Sequence, residues 1–294
     1  MALQTINIGS SANDRSGTSL RAAFDICNDN FAELYDEGNA LPYQIEGANF
    51  TGSLIIGHTT TGTLSSAQYN TGVGIGALNT LTQGDDNVAF GYNAATTIST
   101  GSSNVAIGHV ALASETSGGR NVAIGQAALH NQNSGLDSYN VAIGYQAGLA
   151  ITSGVQNTII GSLAGLALTT GARNVAVGYS ALKTADADDG RNTAIGYNAL
   201  KTLNAGQNGL NTAVGHDAGA QMITGIHNTI VGANAGDALT SGARNVAIGY
   251  LALSGEDDHG RNVAIGYSAL SVQNAGAEAY NVAIGHAAGL SVST

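Results

Sequence analysis

The sequence is almost without the residues that stiffen, staple or anchor a chain: among 294 residues there are 1 Pro, 0 Trp and 1 Cys. A lone cysteine, Cys27, excludes a disulfide scaffold and fits a chain made in a reducing compartment. One proline beside 42 glycines excludes a collagen-like helix, which needs Gly at every third position and abundant Pro. No run of about 20 apolar residues occurs, so no membrane insertion is expected. Charged residues make up 10% of the chain, against about 25% in ordinary usage. Of these, 20 are acidic and 9 basic, a net charge of −11, and the basic ones are scattered, which argues against a nucleic-acid partner. The opening MALQTINIGSSANDRSG lacks the basic-then-apolar order of a secretory signal, so synthesis in the cytosol is expected. At 43% hydrophobic but 5% aromatic, the chain suits many small, similar layers better than one core of large side chains.

Those layers are written as repeats. The string Asn-Val/Thr-Ala/Ile-Ile/Val-Gly begins at Asn87, Asn104, Asn121, Asn140, Asn157, Asn174, Asn192, Asn211, Asn228, Asn245, Asn262 and Asn281, and more loosely at Asn70. Steps are 17 to 19 residues, and Ser53 opens a degenerate first copy, so 14 units fill residues 53–294. The 19-residue units start at Asn121, Asn192 and Asn262, so four units form a larger block of 70 or 71 residues.

Each unit is numbered from its Asn. Position 4 is β-branched in all but one unit, from Ile56 to Ile284, with Phe90 the exception, and position 2 is mostly Val or Thr. Such residues favour strands, and alternation places positions 2 and 4 on one face, expected to line a thin core. Position 3 is mostly Ala, and position 5 is Gly in all 14 units. A face this small implies the close approach of another backbone, taken as that of a second chain, which three-fold association would supply. Position 8, Ala in 13 of 14 units, and position 9, alternately Leu or Gly/Ala, suggest a second short strand after a bend. A 17-residue unit of this kind suits one rung of a β-solenoid, with rungs roughly 4.8 Å apart and 14 of them spanning on the order of 65 Å. The recurrent Asn reads as a turn-former or a side-chain ladder. The expected fold is therefore an all-β solenoid: a trimeric parallel β-roll of about 14 rungs with a short N-terminal helical segment.

Ahead of the roll, residues 18–37 read as a helix capped by Thr18 or Ser19 and stopped at Gly38. Leu20, Phe24, Cys27, Phe31 and Leu34 are spaced as the seam of a short coiled coil. The expected organisation is an attachment segment over 1–42, a linker over 43–52 and the roll over 53–294.

Chemistry is sparse. Acidic turns occur at Asp85-Asp86, at Asp186, Asp188 and Asp189, and at Glu256-Asp257-Asp258-His259. They lack the ligand spacing of a calcium loop and read as solvated turns. Arg120, Arg173, Arg191, Arg244 and Arg261 each precede a unit's Asn and are expected to bridge to an adjacent rung or chain. Position 6 is often aromatic (His58, Tyr92, His109, Tyr145, Tyr179, Tyr197, His216, Tyr250, Tyr267 and His286), an outer ladder that could also stack on sugars. There is no nucleophile elbow and no Cys/His pair at metal spacing, so no catalytic, cofactor-binding or metal-binding residue is assigned and no enzyme is expected. An ice-binding array would need outward threonines, whereas Thr158, Thr193, Thr212 and Thr229 at position 2 are expected to face inward.

The units NVAIG, NTAIG and NTIIG resemble the head repeats of YadA-like trimeric autotransporter adhesins, and the resemblance covers residues 53–294. It implies a left-handed parallel β-roll in a homotrimer. The units here are longer than that family's usual repeat. The N-terminal stretch ALQTINIGSSANDRSGTSLRAAFDICNDNFAELYD resembles the opening of tailed-phage virion proteins, and phage fibres carry NTAIGYNAL-like runs. That resemblance implies a homotrimeric tail-fibre or tail-appendage protein located in the virion. Its first 42 residues would bind the tail or baseplate, and another fibre protein or a removed chaperone would cover the C-terminal end. A host receptor would be met through the turns 130–139, 201–210 and 271–280. A bacterial surface adhesin fragment is the alternative.

Overall fold

The structure is a computed structural model that describes residues 43–45, 51–57, 63–186, 190–206 and 208–293. Among these there is no helix; the expected helix over 18–37 lies outside the described residues. Fifteen three-residue strands form one sheet in sequence order. From β2 (Leu54–Ile56) to β15 (Val282–Ile284) every neighbouring pair is parallel and pairs like position with like, as Val105 with Val122 and Ile107 with Ile124. The chain is thus a parallel β-solenoid with 14 rungs, as the repeats predict. In-register stacking follows from the sequence, because equal units place the same residue types over one another.

The segment expected as a linker contributes a strand of its own. Strand β1 (Tyr43–Ile45) pairs antiparallel with β2, Tyr43 opposite Ile56 and Ile45 opposite Leu54. It occupies the hydrogen-bonding edge that the first rung would otherwise present to solvent.

The faces of the sheet are the reverse of those expected. Position 3 is wholly buried within the single chain, at Ala89, Ala106, Ala123, Ala142 and their equivalents, with Ile55, Ile159 and Ile230 in the same column. Positions 2 and 4 point outward: Phe90 is 56% exposed and Ile107 36%. What presses on the small face is the chain's own return half-rung, where position 8, from Ala77 to Ala269, is equally buried. Ala set against Ala closes most rungs tightly, and Ile159 and Ile230 enter the column where position 9 of their rung is Gly165 or Gly236. The other β-branched residues stand outside and fit the pleated surface there. The position 2 threonines accordingly face outward as well, Thr229 being exposed and Thr158, Thr193 and Thr212 half-buried.

The return half-rung is not a second strand. The N–H of position 8 bonds back to the carbonyl of position 5, as Ala94 to Gly91 at 3.3 Å, and that of position 12 to position 9, as Ile98 to Ala95 at 3.3 Å. These are two successive β-turns, with left-handed residues at positions 7 and 9 (Val110 and Leu112, both φ 50°). The alternation aims position 7 N–H at the rung before and position 9 N–H at the rung after, as Val110 to Tyr92 O and Leu112 to Ala128 O, both 2.9 Å. Stacking continues without strand geometry. In several rungs where position 12 is large and apolar, position 9 gives way, as where a Cβ on Gly148 would lie 2.9 Å from Ile151 Cδ1, although Leu78 with Leu81 and Leu200 with Leu203 are both large and buried. The bend at position 5 admits glycine alone. Gly178 has φ 133°, and an added Cβ would fall on the carbonyl of Gly196 in the next rung.

Candidate functional site

The repeated Asn forms a buried ladder. Asn104 donates its backbone N–H to Asn87 Oδ1 at 3.0 Å, and its Nδ2 reaches that same oxygen at 3.1 Å and Gly118 O at 3.1 Å. Each Asn therefore ties its rung to the one before, and several, as Asn87 and Asn104 do, also close their own rung through Nδ2, whereas the buried Nδ2 of Asn262 has no partner among the described residues. In the first rung Ser53 Oγ takes this place, accepting from Asn70 N at 2.7 Å. The ladder is structural, which accounts for the most regular motif in the sequence without a ligand.

Glu256, expected in a solvated turn, is fully buried. It occupies position 12, which is Leu81, Ile98, Ile151, Leu168 or Leu239 in other rungs. Its Oε2 accepts from Gln273 Nε2 at 3.0 Å and Ala275 N at 3.4 Å, and its Oε1 from His259 N at 3.1 Å. Glu115, four-rung block for block its counterpart, accepts from Gly118 N at 2.7 Å and Thr116 N at 3.1 Å. Glu256, Asp257 and His259 bring one potential metal ligand each within 4.8 Å of one another. The hydrogen bonds just named already satisfy the buried carboxylate of that group, so its placement is explained by packing. Asp258 is held below the ordinary carboxyl value by hydrogen bonds from Thr240 and Ser241.

Among the described residues, two of the five arginines form the expected bridges. Arg120 Nε meets Asp137 Oδ2 in the next rung at 2.7 Å, and Arg261 pairs with Glu278. The bridge to Asp137 raises the Arg120 value further. Each guanidinium also lies over a tyrosine, Tyr139 at 5.6 Å and Tyr280 at 5.2 Å. Both clusters brace 19-residue units, whose long turns project every fourth rung; Leu136 at the tip of one is 72% exposed. Arg173 bonds Gln156 Oε1 at 3.0 Å in the preceding rung.

The position 6 aromatics form an exposed ladder as expected, except that His58 lies outside the described residues. Tyr179 stacks on Tyr197 at 5.4 Å and Tyr197 on His216 at 5.0 Å; Tyr250 meets Tyr267 at 5.5 Å, tilted, and Tyr267 stacks on His286 at 5.0 Å. Tyr92 and His109 form a shorter stack.

The sequence reasoning missed a polar cavity of about 290 Å³ along Asn198, Lys201, Thr202, Asp217, Asn234 and Asp237. It spans three consecutive rungs, so no single unit contains its signature. Asn198 Nδ2 donates to Asp217 Oδ1 at 3.0 Å, and Asn234 Nδ2 to Asp237 Oδ2 at 3.3 Å. The other oxygen, Asp237 Oδ1, is shut off from solvent and accepts no hydrogen bond. Burial holds the Asp237 carboxyl above its ordinary value, against the weaker opposing pull of Asn234 and nearby backbone amides. No family model, no curated protein and no solved structure matches the chain.

Proposed function

We propose that the chain is a non-enzymatic fibre protein of a tailed-phage virion, a homotrimeric shaft that serves host attachment. The observation that carries this reading is the outward apolar ladder of positions 2 and 4. It runs the length of 14 rungs, about 65 Å by about 10 Å, at the upper end of the roughly 300–600 Å² of contiguous apolar surface that a monomer normally leaves bare. Its spacing repeats at every rung, and the partner that repeats at the same interval is another copy of the chain. A cyclic arrangement about the long axis lets every rung meet its equivalent. The likeness of the units to trimeric adhesin heads supplies the number three. The role is mechanical: three copies of each projecting turn, displayed at fixed spacing, add weak surface contacts into a durable one.

Light scattering on the full chain tests the assembly, with three times the 29.3 kDa chain mass expected. A monomer would leave the Thr and Val ladder open to water and turn attention to an ice-binding role, to which the outward threonines are no longer an objection. Labelled residues 1–42 of the assembled protein should bind purified tails. Retention at a bacterial surface instead would favour the adhesin reading.

A further inference from the structure

Two independent features meet at one place on the roll. The first is a break in the aromatic ladder. Between the stack ending at His216 and the one starting at Tyr250, the intervening rung carries Ala233 at position 6. The rings within a stack cover one another, whereas the outer faces of His216 and Tyr250 look across a single methyl group. Two rung spacings separate them, about 10 Å. A ring stacked on an aromatic face sits about 4.5–5 Å from its centroid, so the gap admits one ring and no more.

The second feature is the polar cavity beside that gap. His216 Nδ1 lies 3.0 Å from Asp217 Oδ2, which joins the aromatic wall to the cavity lining. Asn234 directly follows Ala233, and Asp237 in the same rung holds the oxygen that lacks a donor. A hydroxyl presented from the cavity would let that carboxylate turn and satisfy both oxygens. The other well-formed gap, over Ser162 between Tyr145 and Tyr179, has Gln146, Leu163, Leu149 and Leu166 at the corresponding positions and no carboxylate.

We propose that this place is a carbohydrate site that takes one pyranose ring between the faces of His216 and Tyr250, its hydroxyls bound by Asp217, Asn234 and Asp237. Sugar rings match both features: an apolar C–H face for an aromatic wall, and adjacent hydroxyls that donate to carboxylates and accept from amides. Lys201 on the cavity wall disfavours a bare cation, and the polar lining disfavours a lipid chain. The site deepens the attachment role by naming the chemistry of the surface contacted. It is built within one chain, so it stands or falls apart from the trimer.

Saturation-transfer NMR on the full chain, with methyl glucoside, galactoside and mannoside and N-acetylglucosamine as probes, tests it. At least one probe should receive saturation at its ring C–H protons, with EDTA making no difference. Ala233→Gln, which fills the gap with the residue found at position 126, and Asp217→Ala should each weaken binding at least tenfold. Tyr92→Ala in the distant stack should leave it unchanged, and light scattering should give every variant the parent mass. Transfer to none of the probes, transfer indifferent to Ala233→Gln, or transfer abolished by EDTA overturns the proposal. Sugar binding by a monomer would sink the trimer and keep the site.

Discussion

Glu256 and Gln273 occupy the same core column in successive rungs and bond to each other, in a column that is apolar apart from this pair and the equivalent Glu115 and Gln132. In the middle block the same two places are Ala185 and Leu203, both buried. Either pairing satisfies the column, and a mixture does not. Glu256→Ala strands the Gln273 amide and the His259 and Ala275 N–H groups, and should cost about 1–3 kcal/mol in thermal or urea unfolding. Adding Gln273→Leu should recover the part of that loss due to the stranded Gln273 amide, while the His259 and Ala275 N–H groups stay unpaired and Asn281 loses its bond to Gln273 Oε1; a double variant weaker than the single would show that the polar pair is worth more than its parts. Asp237 carries a different cost. Its folded-state value is raised above the ordinary 3.8 by burial, so the folded state holds the proton more tightly than the unfolded one. Below that ordinary value both states are protonated and the penalty is absent; as pH rises through the folded-state value the group must ionise where ionisation is disfavoured, and stability falls. Asp237→Asn should therefore melt higher than the parent near neutral pH, with the difference vanishing near pH about 3. A constant difference across that range would place its cause elsewhere.

At the scale of the element, the three-residue strands, their register and their number were legible in Asn-Val-Ala-Ile-Gly alone, because parallel in-register stacking needs no more than equal units. The direction of the faces was not, and the reason is instructive. Apolar β-branched residues normally mark the buried side of a strand, yet here two columns of alanine, positions 3 and 8, bury each other. The clue was present at Ala106 and Ala111, small on both halves of one rung, but it reads as a pair only once the return is known to be two tight turns and not a strand. The polar cavity was illegible for a related reason: Asn198, Asp217 and Asn234 belong to three units and converge only through the stacking. The outward face makes its own prediction. Ile143, half-buried on the chain's surface and flanked by Ile124 and Ile160, sits mid-ladder, where a subunit contact would desolvate it. Ile143→Lys should leave the circular dichroism of the single roll intact, since the side chain points away from its core, and should lower the mass by light scattering toward that of one chain. An unchanged mass would mean that subunits meet elsewhere.

The whole molecule behaves as a stack in which each rung contacts only its neighbours, so its stability should be close to a sum over rungs and interfaces. The four-rung block then becomes a unit that can be removed. Deleting residues 140–210 joins Tyr139 to Asn211, and the lost Leu210 and the retained Tyr139 already share the left-handed conformation that precedes each Asn, φ 51° and 53°. Asn211 would inherit Asn121 Oδ1 as its ladder partner, and Gln132 would meet the Asn211 amide as it now meets that of Asn140 at 2.9 Å. Every rule of the fold is kept across the junction. The shortened chain should remain folded with a modestly lower melting temperature, and electron microscopy should show a shaft shorter by about 19 Å, four rung spacings. Removing residues 161–169, about half a rung, should instead fail, because the position 5 bend is lost and the Ala column is thrown out of line. If both deletions folded equally well, the stacked columns of Asn, Ala and Gly would not be what determines the structure.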